Sequence, residues 1–310
     1  MKPYDLNKFK GVFIAMNSCY DEQGEVSPER AKKLARHYAD IGVKGLYLAG
    51  STGEGMLQSV EERKQILQAV MEEVRGELIV IAHIGAASTR DCVELTVHAE
   101  SVGADAISAV PSIYYRISEK GVEEHWQAII DSSSLPFIMY HIPATTGFHL
   151  SKDLLGKLAK QDKVIGVKIT TDSTYELQQF KRIGGEDFIL FNGPDEQYVA
   201  GLIMGAEAGI GGTYGVMPEL FMKIEQCFAE GKIAEAQHWQ IKVNEIITEL
   251  VAFPSLYGAS KLILKLRGID TGIPRMPISP IPESDYSKIE ALNHKILHYI
   301  EEAKSEGIRV

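Results

Sequence analysis

The 310-residue chain is poor in cysteine and has fewer basic than acidic residues. Its three cysteines, Cys19, Cys92 and Cys227, lie far apart and form no CxxC pair. The sequence therefore predicts neither a disulfide framework nor a thiolate zinc site, and it fits a reducing compartment. The 42 acidic and 32 basic residues leave a net charge of -10, which opposes binding to a phosphate backbone, so we expect no nucleic-acid partner.

Long apolar runs are also absent from the sequence. No segment approaches the roughly 18 consecutive apolar residues of a membrane span. The short apolar stretch near the start of the chain is interrupted at Asn17, and no small-residue cleavage pattern follows it, so it does not read as a secretory signal. We expect a cytoplasmic protein that has no membrane partner.

The sequence does contain an alternation of short apolar runs with amphipathic stretches of helical period, which is typical of repeated βα units. Eight runs are predicted to be strands, and eight is the number that closes a (β/α)8 barrel. They cover residues 11–17, 45–50, 78–84, 106–110, 137–142, 164–170, 188–192 and 208–213. An open, doubly wound parallel sheet is the alternative, because eight parallel strands can also lie flat.

After the eighth βα unit the helical pattern continues without further strands. Three such patterns are predicted to be helices, at about 233–252, 257–267 and 285–305. We therefore predict an α/β fold in which residues 1–232 form a TIM barrel. Residues 233–310 are predicted to form a C-terminal helical extension that packs on the barrel as part of one structural unit.

In such a barrel the chemistry takes place at the carboxyl ends of the strands. Lys168 lies within the predicted sixth strand, VIGVKIT, where the barrel mouth would solvate an ammonium ion poorly and favour the neutral amine. A neutral amine attacks ketones, and the protonated imine that results is an electron sink that stabilises a neighbouring carbanion. The alternative is a lysine that extends to solvent or pairs with a carboxylate.

Hydroxyl-bearing residues also lie at the carboxyl ends of two further predicted strands, the second and the fifth. The loop GSTGEG after the second strand offers backbone N–H groups together with Ser51 and Thr52, which can surround a carboxylate or phosphate; glycine-rich turns also occur for packing alone. Tyr140 on the fifth strand has a phenol that can relay a proton beside an imine. The alternative is a buried tyrosine whose hydroxyl is merely satisfied.

Three other features have both a functional and a structural interpretation. Tyr114 and Tyr115 follow the fourth strand, and exposed aromatic pairs occur at interfaces as well as in active sites. Asp195 and Glu196, after the seventh strand, can accept hydrogen bonds from a polyol, although two acids at a helix start are also favoured by the helix dipole. His83 is a lone histidine in an apolar strand with no HxH or HExxH spacing, so we expect no metal site.

Three segments carry a resemblance to a known family. The loop GSTGEG, the segment YHIPATTG and the segment GVKIT, in that order on predicted strands two, five and six, resemble the dihydrodipicolinate synthase and N-acetylneuraminate lyase family of class I, Schiff-base aldolases. The similarity covers essentially the whole chain. It implies a TIM barrel, a homotetramer, a small-molecule 2-oxo acid substrate, and no metal or organic cofactor, because the lysine itself supplies the electron sink.

The resemblance also implies roles for individual residues. Lys168 would form the Schiff base with the keto carbon of pyruvate or a longer 2-oxo acid, and Tyr140 would transfer the proton at the hydroxyl whose carbon is cleaved. Ser51 and Thr52 would bind the carboxylate of the keto acid. Tyr114 would reach across a subunit interface and complete a proton relay with Ser51 and Tyr140.

Within the family, the segments SAVPSIYY, FIMYHIPATTG and FNGPDEQ are more similar to the sialic acid lyases than to the lysine-pathway synthases. The synthases carry an arginine where this chain has Thr145, and without it the carboxylate of their second substrate lacks its bidentate partner. Asp195 and Glu196 match the acidic pair that binds the glycerol-like tail of sialic acid in the lyases, with Thr170 and Gly193 beside them.

One position departs from the lyases, which often have a serine where this chain has Gly212. Losing that hydroxyl removes one substrate hydrogen bond, worth about 0.5–1.5 kcal/mol, and leaves the imine chemistry intact. With Gly212 counted among the substrate-binding residues, the resemblance implies an aldolase that cleaves N-acetylneuraminate to N-acetylmannosamine and pyruvate.

Two alternatives to this activity remain. One is another pyruvate-dependent aldolase, a dehydratase or a 4-hydroxy-tetrahydrodipicolinate synthase of the same family, acting on a different 2-oxo acid. The other is a catalytically silent, carboxylate-binding barrel, which has no need for a desolvated amine at Lys168 beside the phenol of Tyr140.

Overall fold

The computed structural model describes residues 2–308, and its centre is a closed barrel of eight parallel strands that pair in sequence order. The strands are β1 (Gly11–Ala15), β2 (Gly45–Leu48), β3 (Ile79–His83), β4 (Ala106–Ala109), β5 (Phe137–His141), β6 (Val164–Ile169), β7 (Ile189–Asn192) and β8 (Ala208–Gly211). All eight predicted strands are confirmed. Because β8 pairs with β1 and closes the barrel, the alternative of an open sheet is wrong.

Helices surround the barrel and follow each strand. They are α1 (Pro28–Ile41), α2 (Val60–Val74), α3 (Thr89–Val102), α4 (Glu119–Asp131), α5 (Pro143–Thr146), α6 (Lys152–Ala159), α7 (Thr174–Gly184), α8 (Tyr198–Ile203), α9 (Pro218–Ala229), α10 (Ile233–Val251), α11 (Leu256–Leu266) and α12 (Tyr286–Ser305). Serine caps fix several starts: the Ser59 hydroxyl accepts from the N–H of Glu62, whose carboxylate accepts from the N–H of Ser59 in return.

Two apolar layers hold the fold together. The inner layer fills the barrel with alternate residues of the strands, such as Phe13, Ile81, Ile138 and Phe191. The outer layer packs the other strand faces against the surrounding helices. This alternation decides which side chains reach the barrel interior and which face the helices.

The three helical patterns predicted after the eighth unit are confirmed as α10, α11 and α12. Helix α10 packs along α9 and also contacts the short helical turn at 195–197, and α11 contacts the turn at 213–216. The division into a barrel over 1–232 and an extension over 233–310 stays a prediction, and its outermost residues, 1 and 309–310, lie outside the described residues.

Within residues 2–308, no single helix combines the length and apolar composition of a membrane span; only α10 and α11 taken together pass that test, and they bend by 110° where they meet.

Candidate active site

Strand β6, which carries Lys168, has a β-bulge: it contains one residue more than the segment of β5 with which it pairs. Phe137 of β5 pairs with Val164, but the next residue, Ile138, pairs with Gly166, so Ile165 is left over. Val164 faces the helices, and strict alternation from it would turn Lys168 outward as well. The extra residue reverses the alternation, so Lys168 pairs with Tyr140 and both side chains face the barrel interior.

The Lys168 ammonium lies between two aromatic rings at the carboxyl end of the barrel. Its Nζ is 4.3 Å from the ring centroid of Tyr140 and 4.5 Å from that of Tyr47. The residue is 5% exposed, and Nζ forms no ion pair with any side chain of residues 2–308. A lysine in this position can reach a ligand in the barrel mouth without first breaking a salt bridge.

Tyr47 is a site residue that sequence reasoning missed. Its hydroxyl donates to Ser108 Oγ at 3.1 Å, and its ring meets that of Tyr140 edge to face at 6.1 Å between centroids. Burial, followed by the neighbouring Tyr140, raises the pKa of Tyr47 well above its ordinary value, so its phenol stays protonated. The signal was available, because Tyr47 occupies an inward position of β2 two residues after Gly45.

His83 also faces the barrel interior, and backbone groups occupy both of its ring nitrogens. Nδ1 lies 3.0 Å from the carbonyl oxygen of Ala49, and the N–H of Val110 donates to Nε2 at 3.4 Å. Burial, assisted by the Arg63 charge, lowers the pKa of His83 to about 3, so its ring is neutral. Among the described residues, no three His, Cys, Asp or Glu side chains are grouped so that they could hold a metal ion.

The hydroxyl-bearing loop after β2 forms a tight turn. Glu54 N–H donates to the Ser51 carbonyl at 3.0 Å and Gly55 N–H donates to the Gly50 carbonyl at 3.1 Å. Thr52 is 6% exposed, whereas Ser51 is exposed. The turn therefore presents one hydroxyl towards the protein interior and one towards solvent.

Five of the predicted substrate-binding residues form a continuous arc at the barrel mouth: Thr52, Gly212, Asp195, Gly193 and Thr170. A Cβ built on Gly212 would lie 2.7 Å from Thr52 Oγ1, and a Cβ on Gly193 would collide with the hydroxyl of Thr170. The residue after Gly212 is Thr213, which binds Asp195. The arc thus runs from the β2 loop over the ends of β8 and β7 to the end of β6.

Asp195 is the buried member of the acidic pair. Its Oδ2 accepts hydrogen bonds from the Thr213 N–H at 2.7 Å and from the Thr213 hydroxyl at 2.6 Å. Burial raises the pKa of Asp195 to about 6, although both Thr213 hydrogen bonds and the Lys168 charge favour the carboxylate. Glu196 is exposed, so the two acids occupy different environments.

A cavity of about 500 Å³ opens at this arc, within the range of roughly 300–1,000 Å³ that is usual for small-molecule sites. Ile247 and Val251 of α10 contribute to its wall, and its polar lining includes His149, Thr170, Thr171, Asp172, Asp195, Glu196 and Thr213. The cavity can therefore take a polar ligand with several hydroxyl groups. Its composition also shows that the helices after the barrel contribute part of the wall.

Tyr114 is the predicted site residue that the structure places apart from the others. It is 91% exposed, has a positive φ of 78°, and its ring packs edge to face on that of Tyr115 at 5.1 Å. A bulky residue in the left-handed region is strained, and such strain persists where the surroundings fix it. Within one chain, this aromatic pair projects into solvent and does not contact Tyr140.

Comparisons with known proteins agree with this geometry. The family model described as the dihydrodipicolinate synthetase family matches residues 8–296. An N-acetylneuraminate lyase of Mediterraneibacter gnavus is 42% identical over 286 residues, which are 91% of this chain and 90% of that protein.

Two solved structures extend the comparison. A catalytic lysine mutant of the Ruminococcus gnavus sialic acid aldolase superposes with a TM-score of 0.94 at 39% identity and covers 99% of both chains. A protein from Clostridium difficile, solved in complex with mannosamine, superposes with a TM-score of 0.90 at 31% identity and covers 93% of this chain and 99% of that one.

Proposed function

The chain belongs to the dihydrodipicolinate synthetase family, and we propose that it is the lyase of that family that cleaves N-acetylneuraminate to N-acetylmannosamine and pyruvate. The observation that carries the chemistry is the buried Lys168 ammonium against the ring of Tyr140, 4.3 Å from its centroid. The choice of substrate is supported by the 42% identity to an N-acetylneuraminate lyase and by the polar arc around Asp195.

In the proposed reaction, Lys168 in its neutral form attacks the keto carbon of the open-chain substrate, and loss of water gives a protonated imine. Tyr140 accepts the proton of the C4 hydroxyl as the C3–C4 bond breaks. The bonding electrons pass into the imine and leave an enamine, while N-acetylmannosamine departs as its aldehyde. Protonation of the enamine carbon and hydrolysis of the imine release pyruvate and restore Lys168. No metal or organic cofactor enters this sequence.

The remaining site residues are proposed to orient the substrate. Ser51 and Thr52 bind the carboxylate of the keto acid with the backbone N–H groups of their turn. The polyol tail is proposed to bind along the arc of Thr170, Gly193, Asp195, Glu196 and Gly212. Gly212 brings no hydroxyl to this arc, which removes one hydrogen bond and leaves the imine chemistry unchanged.

We propose that the active unit is a homotetramer in which Tyr114 of one copy completes the proton relay of Ser51 and Tyr140 in another. The support is the exposed and strained position of Tyr114 together with the exposed ring of Tyr115, 70% accessible in the single chain. Sedimentation measures the assembly. If the relay crosses subunits, mixing Tyr114→Phe subunits with Lys168→Met subunits restores activity that neither variant has alone.

We further propose that the protein acts in the cytoplasm. The three cysteines are free and buried, which suits a reducing compartment.

The experiment that tests the proposed function is trapping of the imine with borohydride. The protein is incubated with N-acetylneuraminate or with pyruvate, reduced, and examined by intact mass and peptide mapping, while released pyruvate is assayed. We expect a reduced pyruvyl adduct on Lys168 in both incubations and pyruvate release in the first. An adduct from pyruvate alone would move the substrate to another 2-oxo acid, and no adduct in either case would refute the Schiff-base mechanism.

A further inference from the structure

Glu54 has a buried carboxylate that the proposed mechanism does not use. The residue is 3% exposed, and its Oε1 lies 3.0 Å from the ammonium of Lys261 on α11, with both side chains at most 1% exposed. Oε1 also accepts from the Ser18 hydroxyl, and Oε2 accepts from the backbone N–H of Arg275 at 2.7 Å. The carboxylate therefore joins the GSTGEG loop to the segment after β1 and to two parts of the chain beyond residue 232.

A buried ion pair of this kind is a poor device for stability alone. The desolvation of two charges offsets most of their attraction, and apolar residues of similar volume stabilise a core at least as well. Glu54 also has a positive φ of 53°, which is unfavourable for a residue with a Cβ. The polar contacts of its side chain hold the backbone in this unfavourable conformation.

That backbone conformation shapes the turn that carries Ser51 and Thr52. The N–H of Glu54 donates to the carbonyl of Ser51 at 3.0 Å, and the φ of Ala49 on the other side of the turn is also positive, at 56°. The Lys261 ammonium is held by Glu54 and by the carbonyl of Ile273 at 3.2 Å. Because these two acceptors engage it, Lys261 acts on the turn through Glu54.

We propose that Glu54 and Lys261 are positioning residues for the carboxylate of the 2-oxo acid. Their ion pair anchors the Ser51–Thr52 turn to α11, so that the helical extension sets the geometry of the carboxylate site. This inference rests on the proposed function, in which that turn binds the keto-acid carboxylate.

The test measures the pyruvate concentration that gives half-maximal borohydride trapping of Lys168. The main variant is Glu54→Gln with Lys261→Met, which removes both charges and leaves no unpaired one. Ser18→Ala is a milder variant that removes one contact to Glu54 and leaves the ion pair. The control is Lys181→Met with Glu207→Gln, which removes an ion pair, 22% exposed on each side, at the opposite end of the barrel.

In the main variant we expect the half-saturating pyruvate concentration to rise about tenfold or more, because the turn loses its charged hydrogen-bond acceptor. Ser18→Ala should give a smaller rise, the control none, and the maximal trapped fraction should stay that of the wild type throughout. If the main variant folds and its half-saturating pyruvate concentration lies within about twofold of the wild-type value, the inference is overturned. An equal rise of that concentration in the control would also overturn it. If the main variant does not fold, an unchanged value in Ser18→Ala overturns it. Failure of the wild type to trap pyruvate would instead refute the proposed function.

A separate set of contacts connects α10 to the acidic pair. Gln240, which is 7% exposed, donates through Nε2 to the Asp195 carbonyl at 3.1 Å and accepts from the N–H of Val199 at 3.0 Å. Asn244, one turn later, donates to the Glu196 carbonyl at 3.1 Å. Two amide side chains of one helix thus hold the backbone of both acids.

The geometry points to Gln240 and Asn244 as positioning residues for the polyol side of the substrate, again on the premise of the proposed function. Gln240→Leu should raise KM for N-acetylneuraminate about tenfold, because the Asp195 and Val199 backbone groups lose their partners, and it should leave the half-saturating pyruvate concentration unchanged. Asn244→Leu should act in the same direction with a smaller effect. This assignment would be overturned by equal fold-changes in KM for N-acetylneuraminate and in the half-saturating pyruvate concentration, or by an unchanged KM.

Discussion

At the amino end of the barrel the carboxylates of Glu207 and Asp105 have specific partners, whereas at the carboxyl end Lys168 and Asp195 are buried and form no ion pair with other residues among 2–308. Glu207 binds Lys181 and a backbone N–H of β7 at 3.0 Å, and Asp105 binds Lys8 and a backbone N–H of β3, each at 3.0 Å. Each of these carboxylates is matched by a cation and by the end of a strand. Such pairs hold the strands in register.

At the carboxyl end, Lys168 and Asp195 lie in different surroundings. Lys168 lies against aromatic rings and has no carboxylate partner among residues 2–308, and Asp195 is buried deeply enough for its pKa to rise to about 6. The charged form of Asp195 is therefore disfavoured in the folded state, which costs stability at neutral pH. The difference teaches that the Glu207 and Asp105 pairs at one end stabilise the barrel, whereas the buried Asp195 at the other end is kept at a cost in stability.

The first test of this contrast is Lys168→Met. Because the nucleophile is removed, we expect pyruvate release to fall by about 10⁴-fold or more and no adduct to form. The thermal midpoint should not fall, since methionine replaces a buried ammonium that has no ion-pair partner. A clear loss of stability would contradict the interpretation that Lys168 is kept for reactivity and not for stability.

Tyr140→Phe should lower the rate of N-acetylneuraminate cleavage by about 10²–10⁴-fold, the usual contribution of a positioned proton-transfer group. The ring and its contact with Lys168 are retained, so the variant should still form the pyruvate adduct. Cleavage kinetics and trapping on the same preparation separate the two steps. Loss of both cleavage and adduct formation would show that Tyr140 acts before carbon–carbon cleavage.

Asp195→Asn should stabilise the folded protein at neutral pH by up to about 3 kcal/mol, at about 1.36 kcal/mol per pH unit of pKa shift. The folded pKa of about 6 lies above the ordinary value of 3.8, so the folded state binds the proton more tightly and its stability falls as pH rises between these values. The advantage of the variant should be full above pH 6 and vanish below pH 3.8.

Denaturant unfolding across this pH range checks the Asp195 prediction. The exposed neighbour gives a matched comparison: Glu196→Gln removes a nearby negative charge that contributes to the raised pKa of Asp195, so it should reduce the pH dependence of unfolding without abolishing it. Cleavage of N-acetylneuraminate should decline in Asp195→Asn, since the charged acceptor of the arc is lost. A variant less stable than the wild type at pH 7 would contradict the prediction.

Glu207→Gln should have the opposite outcome. It weakens the charged contacts with Lys181 and with a strand N–H, so we expect the free energy of unfolding to fall by about 1.5–3 kcal/mol. The values of kcat and KM should stay those of the wild type, because the residue lies at the end of the barrel remote from Lys168. A change in KM without a change in stability would contradict the stabilising role assigned to Glu207.

The strands and the general place of the site could be predicted because their signals are local. Each strand is a short apolar run before a polar loop, and the chemistry of parallel βα folds follows the carboxyl ends of such runs. Lys168, Tyr140 and Asp195 were identified because a polar residue inside or directly after an apolar run stands out. The structure places all three at one end of the barrel.

The remaining features depend on contacts between residues that are distant in the sequence. Tyr47 lies within an apolar run and resembles an ordinary core residue until the barrel closes around Lys168. The partnership of Glu54 and Lys261 spans most of the chain, so no local pattern announces it. Tyr114 differs again, because its proposed role is in the active site of another subunit. In a single chain the residue is exposed.

The extra residue in β6 also separates the two halves of that strand. Without Ile165 the ladder would be regular, with Gly166 still opposite Ile138 and Lys168 still opposite Tyr140. An insertion or deletion in the amino half can therefore be taken up at this point while the reactive half keeps its register. We therefore expect changes of length on the amino side of the bulge to be tolerated better than changes on the side that carries Lys168.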